Sequence, residues 1–502
     1  MRPRTRNRRW LLGAAAVLVV ATSCAAAEPG AGLACPVLEG LAGDGGPVSE
    51  APSEAPATPS SSKDVNQGAK LDSWAPPKRS FAMAAGQTLL MNLLPWAYGR
   101  YGSQSQFAFI SWDTLRNNLE TGFTYDRDEF RTNQYSHPYH GALYFGAARQ
   151  NGYSFWESGV FTFFGSMVWE VTLESQPPAI NDLVSTTLGG MDQGEIMYRL
   201  GRLLRDETAR GGERFWRELG GAFVDPMGGL NRLIRGELKG ARENPPDRFP
   251  SRFVVDLAGF GQSRAGGPGE DDPPDQLGLA LRLRYGDLFD GEHHGPYEFF
   301  ELALDMPTSS RLLFSRAETR GVLFDGPLGN GEGPRQRLAL MLHFVFNQDG
   351  GPIPFGGESF DLSHLSLVPL RGGAELRTEA GVTVYPIAAL GVDHEDVGLA
   401  LYGRDYDYGP VAGVQASARI RRRETDLVGI GWSSLWQSTL DGVSRGSRLQ
   451  RFSAEARVPF PGDRLSVGAE WAWSRRTTTY DAFPTVETSG STVRVLVAVT
   501  FR

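Results

Sequence analysis

The last ten residues alternate. Val493, Val495, Val497, Val499 and Phe501 fall on one side of a period-two pattern, and Arg494, Ala498, Thr500 and Arg502 on the other. That spacing belongs to a β-strand with one apolar face. The block from Arg464 repeats it, with Leu465, Val467, Ala469, Trp471 and Trp473 set against Ser466, Gly468, Glu470 and Ser474, and so does the block from Arg451 to Phe460. Each block is roughly ten residues long, about what a tilted strand needs to cross a bilayer. Such signals continue from about Arg252 to the end of the chain. The pattern therefore predicts an antiparallel, outer-membrane-type β-barrel of about twelve strands, polar side chains to the lumen and apolar ones to lipid. A soluble sandwich or lipocalin-like barrel alternates in the same way, apolar side inward. Aromatics near block ends favour the membrane barrel, where Trp432, Trp436, Tyr402, Tyr406, Tyr408 and Tyr480 would form an interfacial girdle.

Upstream, from about Phe81 to Gly240, apolar spacing becomes helical, as at Leu89, Leu90, Leu93 and Leu94, and turn residues divide the stretch into roughly five to seven helices. Pro177-Pro178 ends a long aromatic helix from Phe155 to Glu170, and Ser136 is placed to cap a helix opening at His137-Pro138. The fold class is thus α+β, a helical domain followed by a barrel. No apolar run long enough for an ordinary transmembrane helix follows the N-terminal leader.

That leader carries five arginines within Met1–Trp10, then an apolar stretch from Leu11 to Val20. It reads as an export signal. Cleavage after Ala27 uses an A-x-A-like site, whereas Ala21-Thr22-Ser23-Cys24 resembles a lipobox with Ala where Leu is usual, leaving Cys24 to be lipidated. The expected organisation is a signal peptide over 1–27 (or a lipoprotein leader to 23), a Pro/Ala/Ser-rich disordered tether over 28–78, a helical domain over 79–248 and a transmembrane barrel over 249–502. Cys24 and Cys35 are the only cysteines, so the body of the chain has neither disulfide nor thiolate metal site. A net charge of −8, with Arg421–Arg423 as the one basic block beyond the leader, gives nucleic-acid binding no support.

The run from Ser136 to Leu204 carries His137-Pro138, Gly141, Tyr144, Ala148-Arg149, Gly152-Tyr153, Glu157-Ser158, Ser166, Trp169-Glu170, Asn181-Asp182, Gly189-Gly190 and Gly194-Glu195. These residues resemble the uncharacterised bacterial envelope family catalogued as domain of unknown function 3943, and Tyr406-Asp407-Tyr408-Gly409 adds to the likeness. The resemblance implies a helical domain joined to an outer-membrane-like barrel. It supplies no reaction.

Candidate chemistry lies in the same run. Glu170, at a helix C-terminus, sits at the wrong pole of the helix dipole and needs a partner, for which Arg149, His137, His140, Asn181 or a metal are candidates. His137 and His140 stand three apart and can share a helical face, with Glu170, Asp182 and Glu195 to complete a nitrogen/oxygen set or a His–carboxylate base. His137, His140, Glu170 and Asp182 are the candidate catalytic residues. Arg149, Trp169, Asn181 and Glu195 are the candidate structural or binding network. The competing reading is a buried hydrogen-bond and salt-bridge scaffold without catalysis. Gly189-Gly190 reads as a tight turn allowing close helix approach, His293-His294 as a solvated turn, and Glu270-Asp271-Asp272 as an exposed hairpin loop.

The expectation is an exported outer-membrane barrel of a diderm bacterium whose helical domain packs against or plugs it, in a structural or transport role. An envelope hydrolase acting on lipid or cell-wall substrate, and a periplasmic interaction module, are the alternatives. The expected partners are outer-membrane lipids and an envelope protein or small molecule, with no cofactor and no metal.

Overall fold

The computed structural model describes residues 73–238, 240–266, 273–308, 314–329, 333–348, 353–392 and 404–502. The leader, Cys24, Cys35, most of the tether, the acidic run Glu270–Asp272 and Tyr402 lie outside the described residues.

Among the described residues seven α-helices come first: α1 (Phe81–Ala97), α2 (Trp112–Thr121), α3 (His137–Arg149), α4 (Phe155–Val168), α5 (Ile180–Leu204), α6 (Gly211–Val224) and α7 (Pro226–Ile234). Local sequence sets several of their ends. Ser154 and Glu157 form a reciprocal capping box at the start of α4, with the Ser154 N–H donating to Glu157 Oε2 at 2.9 Å. Asp225 caps α7, whose first residue is Pro226. Ser136 does not cap α3: it is already helical, and the π-helical segment Thr132–Ser136 runs directly into His137. The aromatic helix likewise does not end at Glu170 but widens into a second π-helical segment, Trp169–Leu173. Gly189 and Gly190 lie inside α5, so they form no turn. Their role is the close approach, since a Cβ on Gly141 of α3 would fall 1.9 Å from the Thr186 carbonyl oxygen of α5.

Twelve antiparallel strands follow and close on themselves: β1 (Phe253–Ala265), β2 (Gln276–Tyr285), β3 (Phe300–Pro307), β4 (Arg316–Leu328), β5 (Arg335–Asn347), β6 (Phe355–Pro369), β7 (Ala374–Gly391), β8 (Tyr406–Arg422), β9 (Thr425–Ser438), β10 (Gly446–Pro459), β11 (Leu465–Thr479) and β12 (Val486–Phe501). Each pairs with its sequence neighbours, and β1 closes on β12 through Val255↔Phe501 to Ala265↔Ser491. Val493, Val495, Val497 and Val499 are exposed on the outer face, while Arg494 is buried inside. Leu496 breaks the alternation because it packs within the lumen beside Ala258, Phe260 and Ala280.

The helical domain lies against the outside of this wall and does not fill the mouth. Pairing register puts Tyr285, Phe300, Leu302, Phe344, Phe346 and Tyr408 on the outward face, yet all are buried. They share one apolar core with Phe130, Phe145, Phe155, Ile196 and Leu200 of the helical region. Tyr406 and Tyr408 therefore belong to this joint and not to an interfacial girdle. Helix α5, ~37 Å long at the usual rise, runs along the wall. Near its start Asn181 Nδ2 donates to the Tyr408 hydroxyl at 3.2 Å, and towards its end Arg199 donates to the Pro296 carbonyl at 2.8 Å. Midway, the Tyr297 hydroxyl donates to Asp192 at 2.5 Å and Thr319 on β4 donates to the same carboxylate.

Side chains occupy the lumen. Asp305 meets Arg282 at 2.7 Å and Arg494 at 3.1 Å, and Arg494 continues to Glu470 at 3.4 Å. Arg284 of β2 reaches across to the Glu424 carbonyl in the β8–β9 turn at 2.6 Å, and the guanidinium of Arg451 on β10 stacks 4.9 Å from the Phe355 ring on β6. Towards one rim Phe355, Tyr385, Leu390, Val411 and Leu435 form an apolar layer. A cavity of about 50 Å³ lies among Glu301, Arg320, Arg377 and Arg419.

Candidate functional site

The crossing of α3 and α5 at Gly141 and Gly190 positions two of the polar residues. Four residues before Gly141, His137 opens α3; four before Thr186, Asp182 sits in the first turn of α5. Glu170 arrives from the π-helical extension of α4, and π-helical turns often mark functional positions because they swing side chains off the regular face. One nitrogen of His137 and one carboxylate oxygen each of Glu170 and Asp182 all lie within 4.8 Å of one another. His137 Nε2 is 3.8 Å from Asp182 Oδ2.

Each member is oriented by a second contact. Asn181 Nδ2 donates to Asp182 Oδ1 at 2.7 Å, and Asn181 Oδ1 accepts from the Asp126 N–H at 2.9 Å. Glu170 Oε2 accepts the Ala179 N–H at 3.0 Å, so the carboxyl at the unfavourable end of α4 is turned to the favourable N-terminus of α5. The compensation thus comes from backbone, not from Arg149. Thr186 Oγ1 stands 3.5 Å from His137 Nδ1. Glu170 Oε1 is buried without a hydrogen-bond partner.

Burial dominates the electrostatics. It drives the Glu170 carboxyl well above the usual range, with Glu174 adding to it, and it does the same to Asp182, with Glu170 adding there. Burial also raises Glu174 to about 8, although its bond from Trp169 Nε1 at 2.6 Å pulls the other way. It lowers His137 and takes His140 down to about 4. Burial thus favours the uncharged forms of His137, Glu170 and Asp182, an arrangement able to exchange protons with a reacting group.

The other candidates are placed differently. His140 Nε2 lies 2.9 Å from the Met91 carbonyl and 3.0 Å from the Tyr144 hydroxyl, which donates in turn to Asn92. That is a helix-locking network outside the three converging groups. Trp169 packs its ring edge-on to His140, with centroids 5.2 Å apart. Arg149 and Glu195 are paired with each other at 2.7 Å, Arg199 joining Glu195 at 2.9 Å, and thirteen residues along α5 put them ~20 Å from Asp182. His293 and His294 are not simply solvated, because both bond Asp325, His294 Nδ1 to its Oδ2 at 3.0 Å. Asp126, Glu174, Thr186 and Tyr408 were not singled out for the site. Thr186 carries a signal in standing one helical turn beyond Asp182, and Tyr408 in lying within the Tyr406-Asp407-Tyr408-Gly409 run.

Residues 122–227 match the family model described as Domain of unknown function (DUF3943). No match was found among curated proteins. Among solved structures, the NanC porin aligns at 8% identity and TM-score 0.25 over 48% of this chain and 98% of its own. Pseudomonas aeruginosa OpdQ aligns at 10% identity and TM-score 0.21, over 50% and 97%. The CymD monoaromatic hydrocarbon channel aligns at 11% identity and TM-score 0.21, over 50% and 89%. Likeness this loose says nothing of cargo.

Proposed function

We propose that this chain is an outer-membrane protein of a diderm bacterium whose barrel serves as a closed anchor for a lipid-side helical domain. The observation that carries this reading is the joint: helices cover part of the outward wall while ion pairs and apolar layers cross the lumen. A conduit needs an open interior. Full-length protein in planar bilayers should give no stepwise conductance, and reproducible open steps would overturn the anchor in favour of transport. Export follows from the leader. Cys24→Ala should abolish acyl labelling if the lipobox operates, whereas an unlabelled wild-type chain beginning at Glu28 would establish ordinary cleavage.

A second reading, an envelope hydrolase acting on lipid, is favoured by the meeting of His137, Glu170 and Asp182 on the membrane side of the wall. Glu170→Gln is the discriminating change. Loss of an envelope phenotype at unchanged melting temperature supports a site, and joint loss of stability and phenotype supports a scaffold.

A further inference from the structure

We propose that His137, Glu170 and Asp182 form a binding site for a divalent transition-metal cation, such as zinc or manganese. One imidazole and two carboxylates make a mixed nitrogen/oxygen set that leaves a coordination position open, as catalytic rather than structural sites do. The three ligand atoms lie within 4.8 Å of one another. Around an ion bonded at about 2.0–2.2 Å, tetrahedral ligands stand roughly 3.3–3.6 Å apart, so rotamer adjustments of about 1 Å bring the three ligands to bonding distance.

An independent observation points to an occupant. Glu170 is 1% exposed, yet its Oε1 has no partner while its Oε2 is held by the Ala179 N–H. A buried carboxylate oxygen without a bond is costly unless something sits against it. Asp182 is likewise held through one oxygen, Oδ1 accepting from Asn181 at 2.7 Å, while its Oδ2 lies 3.8 Å from His137 Nε2. Thr186 stands on the far side of the His137 ring. Each ligand is thus held through one atom by an outer partner, the pattern that orients metal ligands.

The test uses full-length protein in detergent micelles, stripped with chelator and dialysed against Zn²⁺ or Mn²⁺, with bound metal measured by mass spectrometry. About one ion per chain is expected, together with a rise in melting temperature on addition of metal. Glu170→Gln and Asp182→Asn should lose both while the barrel stays heat-modifiable, and Thr186→Val should weaken affinity roughly 10- to 100-fold. Substoichiometric uptake by folded wild type would overturn the site, as would undiminished uptake by both carboxyl variants. Should Asp182→Asn fail to fold, Glu170→Gln and the metal-induced melting shift decide alone. Loss of the metal leaves bilayer insertion intact, so this proposal and the anchor reading fail separately.

Discussion

At the scale of single residues, the helical domain is held by contacts that tolerate almost no added atoms. A methyl on Gly141 would meet the Thr186 carbonyl oxygen at 1.9 Å, and one on Gly190 would meet the Gly141 carbonyl carbon at 2.5 Å. Both obstacles are backbone, which a rotamer change cannot relieve. Gly141→Ala is therefore expected to cost about 1–3 kcal/mol or more, read as a lower melting temperature and faster proteolysis of the helical domain, with the barrel still heat-modifiable. Buried titratable groups leave a second signature. His140 is held at about 4, below its ordinary 6.5, so between those values the unfolded chain takes up a proton that the folded one refuses. This imidazole subtracts stability as pH falls from 6.5 to 4, on the order of 3 kcal/mol at the end of that window. Glu170 and Asp182, raised by burial, act in the opposite sense, since the folded state keeps their protons as pH rises. The difference in stability between wild type and His140→Gln isolates the imidazole and should shift in favour of the variant on acidification from pH 7 to 4.5. A difference independent of pH would show that His140 is not buried neutral. The sequence brought out His137, Glu170 and Asp182 because charged groups in an aromatic stretch demand partners. It did not separate them from Arg149 and Glu195, because which carboxyl meets which cation depends on helix crossing, and the crossing is set by two glycines whose partners lie some fifty residues apart.

At the scale of elements, period-two alternation was enough to find the strands, and its exceptions carry the structural information. Leu496 interrupts the polar face of β12 because the lumen beside β1 and β2 is itself apolar. Tyr406 and Tyr408 looked like interfacial aromatics, but their outward face is covered by helices, with Phe130 and Tyr125 against them. Single-strand patterning reports which residues share a face. It cannot report what covers that face. The same limit revises an expectation about substitutions. Val497 is exposed on the outer belt, and Val497→Arg should cost about 2–4 kcal/mol near the bilayer midplane. From the sequence, Arg494→Ser on the opposite face would be mild. Yet Arg494 pairs with Asp305 and Glu470, donates to the Gln262 side-chain oxygen at 2.9 Å and covers the Phe260 ring at 4.1 Å. Its removal leaves buried acceptors short of a donor, so about 1–3 kcal/mol is expected here as well. Urea titrations of folding into lipid vesicles should show both losses, whereas Val497→Leu should be neutral. A mild Arg494→Ser would mean that water fills the lumen.

At the scale of the whole molecule, the joint between helices and wall decides how the protein meets lipid. Covering part of the outward face between β1 and β8 removes some of the barrel's apolar belt from the bilayer, and the helices must replace it. They carry what is required. Helix α1 exposes Phe81, Leu89, Leu93 and Leu94, and α4 exposes Val160, Phe163 and Phe164, a surface far too apolar to face water at such extent. The two surfaces are continuous, because Trp156 on α4 stacks on Phe324 of the outer wall with centroids 5.3 Å apart and planes 11° apart. No helix among the described residues is long and apolar enough to cross a membrane. The wall supplies the crossing, and α1 and α4 need only extend its girdle sideways. A nitroxide placed at Phe164 or Leu93 in reconstituted protein should accordingly be accessible to oxygen, which concentrates in lipid, and shielded from a water-soluble nickel chelate. A nitroxide at Glu120, exposed on a polar helix, should show the reverse. The last prediction adds charge to that surface: Phe164→Glu should impair insertion into vesicles while a polar change at Glu120 should not, because only the first puts a carboxylate against hydrocarbon. Equal chelate accessibility at positions 93, 120 and 164 would place the helical domain in water, and the exposed faces of α1 and α4 would then have to be covered by another protein.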